Sequence, residues 1–276
     1  MIDVQNQADS RNVPLAKVGV KGLEYPIRVL DKVNHIQHTA ARVDLYADLP
    51  RHFKGTHMSR FIEIFHRYRE DLSMPRFLEM LGRIRGDLEA ESAFGSMTFP
   101  YFMEKNAPVS GLPGMMSYEC RYQGWVRSAR EPVNRGAEAP AGAGRRHFTV
   151  SVSVPVTTVC PCSRAISDRG AHNQRGMVRV EVELGPFFWI EDIIALVEKA
   201  ASSPVYSILK REDEKFVTEH AYDNPKFVED LVRDVYIELK GMNTFPRFSV
   251  EAENFESIHN HSAFAFAEYD KEAGYE

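Results

Sequence analysis

Phe148-Thr149-Val150-Ser151-Val152-Ser153-Val154-Pro155-Val156 carries an apolar side chain at every second position. Side chains alternate across an extended chain, so this run builds one apolar face and one polar face. A helix would scatter the same residues around its circumference. Val178, Val180, Val182 and Leu184 repeat the alternation and make a partner strand. Two helical stripes follow. Ile190, Ile193, Ile194, Val197 and Ala201 form the first; Val228, Leu231, Val232, Val235 and Leu239 form the second, after Asn224-Pro225. Alternation resumes at 248–252 and 263–267.

Working outward, the first half repeats this order. A bent strand or strand pair spans 18–29 with Gly22 inside it, and a strand spans 39–49 with Ala41, Val43, Leu45 and Ala47 on one side. A helix capped by Ser59 carries Ile62, Phe65 and Tyr68. A second opens at Ser73-Met74-Pro75, a favourable helix start, and carries Phe77, Leu78, Leu81, Ile84 and Leu88. Strands at 96–103 and 117–126 close the half, with Tyr118, Cys120 and Tyr122 on one face. Each half therefore reads strand-strand-helix-helix-strand-strand. That pattern predicts an α+β protein, with antiparallel sheets carrying helices on one face. The predicted modules are 1–130 and 147–276, joined by a Pro/Gly/Ala-rich linker or surface loop over 131–146.

Composition narrows the function classes. The chain is 43% hydrophobic and 26% charged, as in soluble globular proteins. No apolar stretch approaches the ~20 residues of a membrane helix, and the polar start lacks the apolar core of a secretory signal. Three cysteines in 276 residues fit a reducing, cytoplasmic location. A net charge of −5 argues against general nucleic-acid binding. Yet nine arginines and only four acids lie between Glu119 and Arg175, which suits an anionic ligand.

That stretch holds the densest chemistry. Thr158-Val159-Cys160-Pro161-Cys162-Ser163-Arg164 is followed by His172-Asn173-Gln174-Arg175. Thiolate and imidazole are ligands for zinc-like metals, and arginine is a partner for phosphate. The bland alternative is a pair of small buried hydrophobes, because a lone C-x-C does not close a structural zinc site. Pro161 keeps Cys160 extended. On an extended chain Cys160 and Cys162 would point to the same side, and Gly170 lets the loop return His172 to them.

Three other polar segments stand out. Lys210-Arg211-Glu212-Asp213-Glu214-Lys215 reads as a solvated loop between helices. Asn254-Phe255-Glu256-Ser257-Ile258-His259-Asn260-His261 reads either as a polar hairpin loop or, with two histidines and a carboxylate, as a segment for acid–base work or metal ligation. Gly55-Thr56-His57-Met58-Ser59-Arg60 reads as a capped turn or as an anion site at a helix start.

In this order along the chain, these segments resemble the type IB GTP cyclohydrolases. The resemblance extends to Asp3-Val4-Gln5-Asn6-Gln7, Lys54-Gly55-Thr56-His57-Met58-Ser59-Arg60-Phe61 and Asn224-Pro225-Lys226-Phe227-Val228-Glu229-Asp230. It implies a tunnelling fold and a homo-oligomer, typically a tetramer, with active sites at subunit interfaces. The implied reaction is GTP plus water to 7,8-dihydroneopterin triphosphate and formate, at the entry to folate biosynthesis. Carried over residue by residue, it implies one divalent metal (zinc, manganese or iron) on Cys160, His172 and Glu214. Cys162, Glu256 and His259 would be catalytic. Glu229 would read guanine, and His57, Arg60, Arg164, Arg175 and Lys215 would contact the triphosphate. Rival readings are an archaeal-type cyclohydrolase releasing a cyclic-phosphate pterin, a tunnelling-fold nitrile reductase and a non-enzymatic metal or redox sensor. The reductase's Glu-x-Lys-Ser-x-Lys motif is missing here, as are the sensor's second cysteine cluster and basic helix.

Overall fold

The computed structural model describes residues 9–128 and 144–273. Most of the expected linker, and the motif beginning at Asp3, lie outside the described residues. Two long strands open the chain, β1 (Leu15–Asp31) and β2 (His35–Leu49), followed by helices α1 (Met58–Tyr68) and α2 (Met74–Asp87). Strands β3 (Ser92–Asn106), β4 (Pro113–Arg127) and β5 (Arg146–Val159) come next. A short helix α3 (Pro161–Ile166) leads into β6 (Asn173–Glu183) and α4 (Ile190–Ala200). The chain continues through β7 (Ser203–Pro204), α5 (Arg211–Asp223), α6 (Val228–Met242), β8 (Arg247–Phe255) and β9 (Ala263–Asp270). Among the described residues the strands form one nine-stranded sheet ordered β1-β2-β3-β4-β5-β6-β8-β9, with β7 beside β5. The expected α+β class and strand order are present.

The chain divides into two compact units. The first holds Met1–Phe99 and Arg121–Thr149; the second holds Pro100–Cys120 and Val150–Glu276. In the first unit, β2 and β3 pair antiparallel from Arg42↔Thr98 to Ala47↔Ala93. Their inward side chains Val43, Leu45 and Met97 are fully buried, as are Phe61 and Phe65 of α1 and Phe77, Leu81 and Ile84 of α2. Burying each such side chain stabilises the fold by roughly 1.5–3 kcal/mol. Gly95 lets α2 approach the sheet closely, because a Cβ there would lie 2.9 Å from both Leu81 Cδ2 and Phe77 Cζ. Aromatic edges lock this core: Phe77 meets Phe148 at 5.2 Å and Tyr122 meets Phe148 at 5.4 Å between ring centroids.

In the second unit, β6 and β8 pair from Arg175↔Phe255 to Val182↔Phe248. Their inward valines and Ile193, Val197, Leu231, Val235 and Leu239 of α4 and α6 are buried. The expected helical stripes therefore face the sheet. Strand β5 departs from the alternating pattern, since Thr149, Ser151 and Ser153 are buried along with the valines. β5 has sheet neighbours on both sides, and these small side chains leave little surface beyond them.

Three local expectations are corrected. Ser59 lies inside α1, whose first non-helical residue is His57, with no side-chain capping bond. Lys210–Lys215 is not a loop: α5 begins at Arg211. Its first turn carries Glu212, Asp213 and Glu214, which favour the positive end of the helix dipole. Finally, Cys160 and Cys162 do not alternate along a strand. Cys160 is extended, as its proline neighbour requires, but Pro161 then opens α3 and places Cys162 inside it.

Candidate functional site

The end of β5 brings several predicted residues together. The Cys160 backbone N–H donates to the His172 carbonyl at 3.1 Å, closing the α3 loop as the sequence suggested. Ser163 staples the closure. Its N–H donates to Cys160 Sγ at 3.5 Å, and its hydroxyl donates to the Cys160 carbonyl at 3.1 Å. The same hydroxyl accepts from the His172 N–H at 3.1 Å. Thiol and imidazole are thus held on neighbouring backbone positions by one small side chain.

Around the His172 ring stand groups from β6 and from the segment after β8. Gln174 Oε1 lies 3.2 Å from Nδ1, Ser257 Oγ 3.5 Å and Glu256 Oε2 3.9 Å. Glu256 Oε2 is buried and has no hydrogen-bond partner. Thr158 Oγ1 and Asn254 Oδ1 are likewise buried without partners. Buried polar atoms are nearly always satisfied, so such a group beside a histidine marks a place built for something else to bind. Gly176, paired with Asn254, makes room for it: a Cβ there would sit 2.7 Å from Asn254 Oδ1.

The entry to α6 is fastened to the same place. The Lys226 N–H donates to the Val159 carbonyl at 3.0 Å, one residue before Cys160. Lys226 Nζ also pairs with Asp234 at 2.6 Å. Glu229 follows in the first turn of α6, exposed and beside the buried Val228 and Leu231. Arg164, from α3, lies over the Tyr222 ring at 4.7 Å and within 3.7 Å of Asp223 at the end of α5. Cys162 is exposed, as are Arg175, Glu214 and Lys215. Lys215 is 3.8 Å from Glu219, one helical turn on. His259 is exposed, its ring stacked on that of His261 at 5.2 Å.

His57 and Arg60 belong to the first unit. Arg60 donates to the Asp87 carbonyl at 2.9 Å, where it satisfies the last turn of α2. Cys120 is fully buried, and burial pushes its thiol well above the ordinary range, so it is a core residue.

Cys160 and His172 have the donor chemistry a divalent metal requires, and the buried, unpartnered Glu256 oxygen lies beside them. Among the described residues, however, no three His, Cys, Asp or Glu side chains group closely enough to hold a metal ion. Glu214 does not join Cys160 and His172 in such a group. Among the described residues, Cys160 and His172 are joined through their backbones, and no closed ligand set surrounds them.

Sequence reasoning missed Ser163, Gln174, Ser257, Thr158 and Asn254 as parts of this arrangement. They lie inside the quoted motifs but were given no role there, because serine, threonine and amide side chains carry no signature of their own. Asp213 was missed differently. It is completely buried, accepting from the Val109 N–H at 2.8 Å, the Ser110 N–H at 2.9 Å and hydroxyl at 2.7 Å, and the Lys210 N–H at 2.9 Å.

Comparison with known proteins finds relatives along nearly the whole chain. The family described as type I GTP cyclohydrolase folE2 matches residues 1–265. The GTP cyclohydrolase FolE2 of Syntrophobacter fumaroxidans is 54% identical over 271 residues, covering 98% of this chain and 100% of that protein. The FolE2 proteins of Syntrophus aciditrophicus and Geotalea uraniireducens are 53% and 52% identical, covering 97% and 98% of this chain and 99% and 94% of theirs. Among solved structures, the uricase of Arthrobacter globiformis aligns with a TM-score of 0.52 at 6% identity, covering 94% of this chain and 95% of its own. At that identity the likeness shows the tunnelling fold alone. The sequence matches run nearly end to end, and the chain belongs to the type I GTP cyclohydrolase FolE2 family.

Proposed function

We infer that this chain is a GTP cyclohydrolase I of type IB, converting GTP and water to 7,8-dihydroneopterin triphosphate and formate in folate biosynthesis. The observation that carries this reading is identity of about one half to FolE2 proteins along the whole chain. The site chemistry agrees with it. The reaction opens the imidazole ring of guanine by attack of water at C8, and it needs groups that hold the purine, the phosphates and several protons.

Cys160 and His172 would hold a divalent metal, with Glu214 as the third ligand implied by the family resemblance. A mixed sulfur, nitrogen and oxygen set leaves zinc, manganese and iron open. Bound there, such an ion would make hydroxide available near neutral pH. The chain's own residues supply the rest. Glu229 would accept hydrogen bonds from guanine N1–H and the 2-amino group. The unpartnered Glu256 oxygen would hold a proton during ring opening, and His259 would move protons during deformylation and ribose rearrangement. Cys162 would stand beside the reacting carbon as a second thiol. Arg175 and Lys215, both exposed, would meet the triphosphate with Arg164, Arg60 and His57. Arg60, Arg164 and Lys215 already have partners and would contribute less than Arg175.

The working form would be a cytoplasmic homo-oligomer, most simply a tetramer. Strand β9 ends the sheet, and it exposes Phe264 at 60% and Phe266 at 51%, a costly pair to leave in water. No helix among the described residues is long and apolar enough to cross a membrane.

The test is direct. Purified protein is incubated with GTP and a panel of divalent metals, formate is measured, and the pterin is identified by mass. Formate with dihydroneopterin triphosphate is expected. Absence of formate from metal-loaded, folded protein overturns the reading, and a cyclic-phosphate product would transfer the chain to the archaeal-type activity.

A further inference from the structure

The three atoms around the His172 Nδ1 are all oxygens. Gln174 Oε1 is the nearest at 3.2 Å, ahead of Ser257 Oγ at 3.5 Å and Glu256 Oε2 at 3.9 Å. An amide oxygen can only accept a hydrogen bond, as can an ionised carboxylate, whereas the Ser257 hydroxyl, farther off than Gln174, can donate or accept. A bond at this nitrogen to Gln174 therefore requires the hydrogen to be on Nδ1. In a neutral imidazole the lone pair is then on Nε2. Gln174 is itself well fixed: it lies in β6 and is only 7% exposed. Its backbone is two residues from His172, whose own N–H is tied to Ser163. The ring is thus held at its backbone by Ser163 and at one nitrogen by Gln174, which leaves the other nitrogen as the free donor.

We propose that Gln174 is a positioning residue that fixes His172 in the Nδ1–H tautomer and so presents Nε2 as an electron-pair donor to a divalent metal. This deepens the function proposed above and rests on it for the role of His172. Histidine ligands generally donate their second ring N–H to a fixed acceptor, and loss of that acceptor typically weakens metal binding 10–100-fold. Here the acceptor is an uncharged amide, with the buried Glu256 oxygen next in line at a longer distance. Gln174 orients the ring without adding charge to it.

Ring ¹⁵N and ¹³C shifts of His172, read by NMR on selectively labelled full-length protein, report the tautomer without any substrate. Zinc affinity, measured by competition with a chromophoric chelator, reports the consequence. Native protein should show Nδ1–H. Gln174→Met keeps the length of the side chain but removes the acceptor; mixed tautomers and zinc affinity lowered at least ~10-fold are expected. Gln174→Asn, which withdraws the amide by one methylene, should behave like it, and it serves if the methionine variant fails to fold. Gln174→Glu restores an acceptor oxygen and should restore both the tautomer and tight zinc binding. Native protein carrying the hydrogen on Nε2 would overturn the proposal. So would a folded Gln174→Met or Gln174→Asn protein with native ring shifts and native zinc affinity. Failure of the cyclohydrolase reading itself would appear separately, as native protein that binds zinc and shows the Nδ1–H tautomer but releases no formate from GTP.

Discussion

Ser163 does more at the site than its residue type advertises. A single hydroxyl accepts from the backbone of His172 and donates to that of Cys160, with the Ser163 N–H directed at the Cys160 sulfur. Replacing it with alanine removes two hydrogen bonds and leaves the Sγ contact untouched. The partners are half-buried backbone groups, so Ser163→Ala should destabilise the protein by about 1–3 kcal/mol, measured as a lowered urea midpoint at unchanged slope. The larger effect is expected on function. If Cys160 and His172 are ligands as proposed, a drift of about an ångström would cost most of their joint value, and kcat/KM for GTP should fall at least ~10-fold. Unchanged turnover would leave Ser163 as an ordinary loop residue. Cys160 and His172 were legible in the sequence because their side chains have distinctive chemistry. Ser163, Gln174 and Ser257 were not, because their roles come from geometry that the chain reveals only when folded.

Helix α5 shows why elements are misread. Arg211–Asp223 buries only Asp213 and Ala221, so it lacks the apolar stripe by which α4 and α6 announce themselves. Its start is set instead by Asp213, which binds its own helix end and the turn between β3 and β4. Burial raises the Asp213 carboxyl, but the Ser110 hydroxyl and N–H and the Lys210 and Val109 N–H groups outweigh it, and the net shift is strongly downward. A carboxyl whose folded pKa is depressed stabilises the protein above its unfolded value near ~4. That contribution is lost as pH falls below ~4 toward the folded value. Asp213→Asn should therefore lower the melting temperature by ~5 °C or more at pH 7, through weakened and mismatched hydrogen bonds. It should also lose less further stability than the native protein between pH 4 and pH 2. Parallel acid curves for the two proteins would refute that role. The helices with apolar stripes and the alternating strands were legible; α3 and α5, held by polar contacts and by a proline at the first turn, were not.

At the scale of the whole molecule, the remaining question is whether an exposed carboxylate, Glu229, is the proposed reader of guanine. Glu229 stands in the first turn of α6, whose stripe is buried against the sheet and whose entry is tied through Lys226 to Val159, the last residue of β5 and the neighbour of Cys160. The position is rigid, yet the carboxylate itself is exposed in a single chain. As an ordinary helix-start glutamate it would be worth only about 0.3–1 kcal/mol to the dipole. As a guanine reader it must be covered by substrate, and within the proposed oligomer its surroundings would change further. These roles separate cleanly in one variant. Glu229→Gln keeps the volume but removes the charge, and it turns an amide donor toward one of the two guanine N–H groups. A site built around two such donors discriminates by roughly 10⁴, so kcat/KM for GTP should fall by about that factor. Stability should move by no more than about 0.5 kcal/mol, as for other exposed positions. Zinc content should stay native, because Glu229 is not among the proposed ligands. A calorimetric scan, a metal assay and a formate assay on the same preparation decide the matter. Native turnover in the variant would make Glu229 a surface residue and would move guanine recognition to another carboxylate. Loss of turnover together with a large fall in melting temperature would make it structural. Only loss of turnover in a stable, metal-replete protein assigns Glu229 to the purine.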